Sequence, residues 1–598
     1  MKVDNSPLSN GIQHIALSLS GGGFRAASYS LGCCSYLAQL PYEQGYMLDR
    51  VSYISAVSGG SITALGLFSM QRKGASFQKI YRHLLEQTHG SNLMDQTFNI
   101  LDDELAWADR PDKDRNLINA LAVAYDVCLF KGATYESLFV DPVDSSHPVI
   151  NELCINATEL NNGMNFRFST QGRIGNQYLN LNRGHQTSFD TIKKIKLGDI
   201  LAASSCFPAG FEPIVFPRDF TYHSNDGSLE WNELAETVKT KDYYSGNFQK
   251  PAHDLDMFAL MDGGIDDNQG IYSFRLADAR KTKGYAYDLY FPCDVSSNYL
   301  KKPFTYPMEK KSKLLDQNLT SLFTSTIAVV SMMMILFLSM LLLSLNFILR
   351  ESTGWVWPML LGFASFGLLL FLSLRIGLGK IQKFISNYQA AAGDNEKKPG
   401  TWNMMLRKYS VEFLKLPVGK LGQMLVARGN SIFLLANTIF LKKIRRASYE
   451  QLYTDGTIPK NQIAVTAVYL LSTKNDRMLQ QELKTDLKRE NSMINADDPR
   501  LILDVMQPSA ILRKYIDQAA AMETTLWFDD YHLKDDAQES LLIAGQATMC
   551  FNLLRVALRN DSKHVSWPVL RAQLLEDWAK FNIQPNWMIS HYAEEQVG

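Results

Sequence analysis

The stretch Tyr53-Ile54-Ser55-Ala56-Val57-Ser58-Gly59-Gly60-Ser61 carries an apolar run into a small-residue turn. Val51 to Val57 reads as a strand and Ser61 to Gln71 as the helix that follows, so Ser58 falls on a tight strand-to-helix turn. Such a turn lifts a serine Oγ out of the fold and aims the amino terminus of the helix, with its partial positive charge, at negative charge developing there. Gly60 fills the last position of a G-x-S-x-G elbow, whereas Ala56 stands at the first and is still small enough for close backbone passage. Taken alone, a serine in such a Ser/Gly-rich turn is more often structural than catalytic.

Working outward, His14 to Leu19 reads as an earlier strand that enters a glycine loop and then the helical segment Ala26 to Gln39. Two strand-turn-helix units in succession point to an α/β domain with a largely parallel sheet. The loop Ser20-Gly21-Gly22-Gly23-Phe24-Arg25-Ala26 has three readings. It is a glycine-rich turn, or a dinucleotide loop, since Gly21-x-Gly23-x-x-Ala26 fits that fingerprint and Glu43 lies about 20 residues on. The third is an oxyanion hole, in which glycine N–H groups face a tetrahedral intermediate. Further on, Met257 to Met261 leads into Asp262-Gly263-Gly264, where a carboxylate at a strand end can approach another backbone closely and take a proton from a hydroxyl. A plain turn is one alternative. A cation site using Asp262, Asp266 and Asp267 is another, although their spacing does not match the EF-hand loop.

Composition narrows the class. The 598 residues carry 60 Lys+Arg against 61 Asp+Glu, and 46% are hydrophobic, which excludes a disordered or collagen-like chain and weighs against a dedicated nucleic-acid binder. The length suits two to four domains, or one large domain with insertions. Seven cysteines, an odd number without a Cys-x-x-Cys, read as reduced thiols in a cytosolic compartment and not as a zinc ribbon or disulfide framework. Met1 to Gln13 lacks the basic and apolar regions of a cleaved signal peptide.

The mean hydropathy of −0.13 conceals opposed segments. Ser321 to Leu349 and Ser352 to Leu374 are free of charge, each long enough to cross a bilayer as a helix, with only Arg350, Glu351 and a few small residues between them. Trp355 and Trp357 stand where indoles favour the membrane interface. The economical reading is a transmembrane helical hairpin at about 321–349 and 352–374; a buried helix pair in a soluble core is the alternative. Lysines dominate residues 301–320, and residues 375–446 hold 14 Lys or Arg against Asp394, Glu396 and Glu412. By the positive-inside rule both flanks are then cytoplasmic, and the basic stretch lies against anionic lipid, each near-surface charge adding about 1 kcal/mol, unless it is merely a solvated face. Leu414 to Arg446 and Ser540 to Leu558 read as helices. Gln462 to Leu471 is a strand or a buried helix.

The conjunction of these motifs resembles the patatin-like phospholipase family. The ordered matches are Gly21-Gly22-Gly23-Phe24-Arg25, Ala56-Val57-Ser58-Gly59-Gly60 and Asp262-Gly263-Gly264, with Asn156 to Gly163 and Ala202 to Pro208 similar to the family's intervening segments. The likeness runs through about residues 12–295, and faintly around 410–475 and 515–560. Alanine at position 56 and at position 26 departs from the family pattern without removing a reacting group.

The resemblance implies a three-layer α/β/α fold with a largely parallel central sheet. The expected organisation is a first catalytic part at 1–310, the hairpin within 311–380, and a basic, mainly helical region at 381–598 that completes the core or stands apart from it. It further implies a lipid acyl hydrolase with Ser58 as nucleophile, Asp262 as base, Gly21, Gly22 and Gly23 as oxyanion donors, and Arg25 as a loop or phosphate anchor. No metal or organic cofactor is implied. The substrate would be a membrane phospholipid or glycerolipid, with an anionic lipid surface and a regulatory protein or second copy as partners, and no nucleic acid. A catalytically silent membrane scaffold is a competing function. So is a Ser-His-Asp esterase using His532, His564 or His591.

Overall fold

Alternation along the strands decides which side chains meet on each face of the sheet. Ile15, Leu17, Ile54, Ala56, Leu153, Ile155, Leu289 and Phe291 share one large core. Their sequence neighbours Ala16, Tyr53, Cys154 and Tyr290 meet in a second core on the opposite face. A sheet with apolar residues on both faces must be covered on both, and that is the origin of the three layers.

The computed structural model describes residues 11–140, 150–181, 186–208, 210–224, 227–241, 247–249, 257–280, 287–296, 305–308, 316–350, 355–393, 416–454, 456, 458–487, 504–560 and 564–589. The main sheet has strands β1 (Ile15–Leu19), β2 (Val51–Val57), β3 (Glu152–Glu159), β4 (Met164–Ser169), β5 (Ile214–Phe216), β6 (Phe258–Asp262), β7 (Leu289–Asp294) and β8 (Thr466–Ala467). Its order is β8-β7-β1-β2-β3-β6-β5, and β4 pairs with the other edge of β3. From β8 to β3 the pairs are parallel, whereas β4, β5 and β6 are added antiparallel, so the sheet is mixed. The Gln462 to Leu471 run supplies a strand, only two residues long and paired with Cys293 and Asp294 of β7.

Helices α1 (Phe24–Gln39), α2 (Gly59–Arg72) and α3 (Leu197–Ser205) pack on the larger core, and the one-turn α4 (Gly264–Asp267) leads into α5 (Ile271–Ala279) on the second face. The chain divides into two compact units, Met1–Lys301 with Ala436–Gly598, and Lys302–Leu435. The second unit contains α6 (Leu319–Leu349), α7 (Val356–Gly393) and α8 (Val418–Leu434). Phe347 stacks on Trp357 at 4.1 Å and Phe337 on Phe371 at 5.6 Å, which fixes α6 and α7 as an antiparallel pair. Gly367 allows the close approach, since a Cβ there would overlap the Phe337 ring. Glu351 and Ser352 of the expected turn lie outside the described residues.

The first unit resumes with α9 (Leu441–Thr454), whose Leu452 enters the second core, and with α10 (Ala537–Arg559) against α1. Glycines set that contact. A Cβ on Gly32 would overlap the Leu542 carbonyl, and one on Gly545 would overlap the Tyr29 carbonyl. Among the described residues three helices are long and apolar enough to span a membrane, and burial separates them: the most apolar stretch of α10 is 89% buried, but those of Ser321–Leu349 and Val356–Lys383 only 11%. Arg445 belongs to the basic stretch read as lying against lipid, yet it is buried, with Nε 2.5 Å from Asp294 Oδ2 and a guanidinium bond to the Tyr469 hydroxyl. Its charge serves the sheet end and is not available to a membrane surface.

Candidate active site

Consecutive residues of β3 bring two strand ends together. Asn156 pairs with Val57 at the end of β2, and Ala157 pairs with Asp262 at the end of β6. Because β6 runs antiparallel to β3 while β2 runs parallel, the two strands meet end to end along one edge. Ser58 is the next residue after Val57. The topology therefore places Ser58 beside Asp262, although they are remote in sequence.

Ser58 adopts φ 51° and ψ −122°, a left-handed conformation that side chains avoid. It precedes α2 directly, and its side chain does not cap that helix, so the hydroxyl is not spent on the backbone. The strained turn is held from below. Ser58 N–H donates to Ser204 Oγ at 3.0 Å, and Ser204 Oγ donates to the Asn156 carbonyl at 2.7 Å. Asn156 Nδ2 in turn donates to the Ala56 carbonyl at 2.9 Å. Gly59 and Gly60 leave no room for a side chain, because a Cβ on the first would overlap the Gly23 carbonyl and one on the second the Leu19 carbonyl. Ala56 points into the larger core and is fully buried, which explains why a methyl is tolerated there.

Asp262 is buried, and desolvation pushes its carboxyl up to about 6; the Ser58 side chain and the Gly264 N–H, bonded to Oδ1 at 2.7 Å, oppose the rise. Thr158 Oγ1 donates to the Asp262 carbonyl at 2.9 Å, fixing the strand end.

The glycine loop packs over the elbow but does not offer all three N–H groups. Gly21 N–H donates to the Asn268 carbonyl at 2.9 Å, which removes it from the expected set of oxyanion donors. Gly22 and Gly23 have φ of 146° and 66°, and among the described residues no acceptor engages their N–H groups. Phe24 N–H donates to the Thr525 carbonyl at 2.6 Å. Arg25 is buried, its Nη1 donates to the Met522 carbonyl, and desolvation lowers its pKa to about 10 against the pull of Asp294 and Glu523. It anchors the loop and is turned away from solvent.

The competing readings find other partners. Glu43 lies in a surface hairpin turn with Arg50 at 2.6 Å, and the Thr525 backbone fills the space over Gly23 that a pyrophosphate would need. His532 Nδ1 lies 2.6 Å from Asp529, and His564 Nδ1 lies 2.7 Å from Ser566 Oγ; His591 is outside the described residues. Among the described residues no three His, Cys, Asp or Glu side chains are grouped to hold a metal ion. Sequence reading did not assign roles to Asn156, Ser204, Asn268 and Thr525. The first two lie in segments singled out as family-like, and nothing local marks Thr525.

A layered α/β fold that holds a serine on a strand-to-helix elbow is an arrangement that acyl hydrolases use. Residues 17–274 match the family model of the patatin-like phospholipases, and the chain carries a patatin-like phospholipase domain over that span. No curated protein matches the chain. Among solved structures it is similar to human GIVD cytosolic phospholipase A2, with 14% identity, TM-score 0.28, and coverage of 47% of this chain and 45% of that one. It is also similar to VipD from Legionella pneumophila, with 11% identity, TM-score 0.22, and coverage of 98% and 89%.

Proposed function

We propose that the chain is a membrane-anchored serine hydrolase that cleaves ester bonds of phospholipids or related glycerolipids through a Ser58-Asp262 dyad. The observation that carries this reading is the β3 register, which sets a strained serine and a buried carboxylate side by side. Asp262 takes the proton as Ser58 Oγ attacks the acyl carbonyl carbon, and the N–H groups of Gly22 and Gly23, with the amino terminus of α2, stabilise the oxyanion. Collapse breaks the ester C–O bond and returns the proton to the leaving alkoxide. Water, deprotonated by Asp262, then cleaves the acyl-Ser58 ester.

The anchor is the α6–α7 pair. Leu336, Leu342, Phe366 and Leu369 are exposed on stretches of α6 and α7, 321–349 and 356–374, that carry no charge, which water would not tolerate and a hydrocarbon layer would. The lysine-rich flanks put both ends of the pair on the cytoplasmic side. A hydrolase held there meets its substrate in two dimensions, at high effective concentration.

The test is labelling by a fluorophosphonate probe together with product analysis on defined liposomes by mass spectrometry. Wild type is expected to label and release fatty acid, and Ser58→Ala to do neither. Unlabelled wild type with no product would support a catalytically silent scaffold instead.

A further inference from the structure

A polar cavity lies away from Ser58 and Asp262, neither of which lines it. It occupies about 640 Å³ on the second face of the sheet, between β4, α4, α5 and α9. That volume suits a small ligand. Strand alternation builds its floor: Phe166 and Phe168 of β4 enter the larger core, so Asn165 and Arg167 face the other way, into the cavity.

The polar groups there are unequally satisfied. Asp267 Oδ2 accepts the Tyr272 N–H at 2.6 Å while its Oδ1 is buried without a partner among the described residues, the Asp266 carboxyl accepts the Asn165 N–H, and Arg280 is paired with Glu152. The Asn165 side chain is only 4% exposed, yet neither its Nδ2 nor its Oδ1 has a partner among the described residues. Arg167 Nε is likewise buried without a partner, and the guanidinium has no ion-pair partner among the described residues. Burying an unpaired amide beside an unpaired guanidinium nitrogen of the half-buried Arg167 is costly unless something fills the cavity.

We infer that this cavity is a binding site for a phosphoryl group, held by the Arg167 guanidinium and the Asn165 amide. A guanidinium offers a planar fork that matches two phosphoryl oxygens, and the adjacent Asn165 Nδ2 donates to a third. Arg173, exposed and lining the cavity, adds positive charge at its solvent side, where Arg280 is held by Glu152. The same group could arrive on a soluble metabolite or on a lipid headgroup. The site does not depend on the Ser58-Asp262 reading.

The experiment is calorimetric titration of the full chain in detergent with glycerol 3-phosphate, with dioctanoyl phosphatidic acid, and with succinate as a carboxylate control. Binding of either phosphate compound is expected, weakened roughly 10- to 100-fold by Arg167→Met and by the near-isosteric Asn165→Asp, with Arg167→Lys intermediate. Binding of glycerol 3-phosphate identifies a soluble phosphate ester; binding of phosphatidic acid alone identifies a headgroup. The proposal is overturned if neither phosphate compound binds, if succinate binds as tightly as they do, or if binding is unchanged in variants that retain the wild-type melting temperature.

Discussion

Val57 and Asp262 pair with adjacent residues of β3, Asn156 and Ala157, so the strand carrying the serine elbow and the strand carrying the carboxylate end at the same point. With desolvation as the main cause, the Asp262 carboxyl titrates at about 6. A base must be ionised to take the Ser58 proton. Hydrolysis should therefore rise with pH through a midpoint near that value and level off above it, as measured by kcat/KM on a soluble ester between pH 4.5 and 8.5. Asp262→Asn should lower kcat/KM by at least about 10²-fold, in keeping with loss of a positioned base. Full activity in that variant would exclude the dyad.

The same carboxyl makes an opposite prediction for stability. Its folded-state value lies above the unfolded one of about 4, so its contribution is fully present below pH 4 and is lost as pH rises through 6. At pH 8 the ionised group costs stability that Asn does not. Asp262→Asn should raise the midpoint of thermal unfolding at pH 8, by on the order of 2 kcal/mol in free energy, while leaving it little changed at pH 4. Scanning calorimetry at the two pH values checks the sign.

Ala56 and Gly59 should respond differently to changes that look conservative. Gly59 sits where a Cβ would overlap the Gly23 carbonyl, so Gly59→Ala must push the elbow and the glycine loop apart. Expected results are loss of fluorophosphonate labelling at Ser58 and destabilisation of about 1–3 kcal/mol. Ala56→Gly completes the strict elbow motif, yet it removes a methyl from the core and loosens a strand. It should cost about 1 kcal/mol and bring no gain in activity.

Much of this was legible in the sequence, because strand ends and glycine turns are local signals. Ser58 and Asp262 stand out as small-residue turns after apolar runs, and β2 spans the expected Val51 to Val57. The antiparallel entry of β6 was not legible, since strand direction depends on how the chain returns over some fifty intervening residues, as reckoned from the end of α3 to the start of β6. Nor was the commitment of the Gly21 N–H to Asn268, which requires the partner's position. The fate of Arg445 shows the same limit: charge counting places it with its basic neighbours, whereas the strand end at Asp294 draws it inside.

The carboxy-terminal part reaches the glycine loop directly. Thr525 accepts from Phe24 N–H, Met522 accepts from Arg25, and α10 fits the glycine surface of α1. Residues 1–301 expressed alone should therefore accumulate in the insoluble fraction, and coexpression of residues 436–598 should restore soluble material. Arg25→Met should cost about 2 kcal/mol through loss of its charged hydrogen bond, with weaker labelling at Ser58. A soluble 1–301 fragment that unfolds cooperatively would contradict this account.

Burial also predicts how the apolar helices answer to a charge. Leu336 on α6 and Phe366 on α7 are 55% and 69% exposed, whereas Leu553 on α10 is 1% exposed. If α6 and α7 lie in a bilayer, Leu336→Arg and Phe366→Arg place a cation in hydrocarbon, at about 2.5–3.5 kcal/mol each near a span centre. The double variant should then pass from the carbonate-resistant membrane fraction to the extractable or aggregated fraction. On helices exposed to water the same changes would be nearly neutral and would improve solubility. Leu553→Arg should instead unfold the first unit, because a core position offers the charge neither water nor a partner, so fractionation and proteolysis of the three variants separate a membrane helix from a buried one.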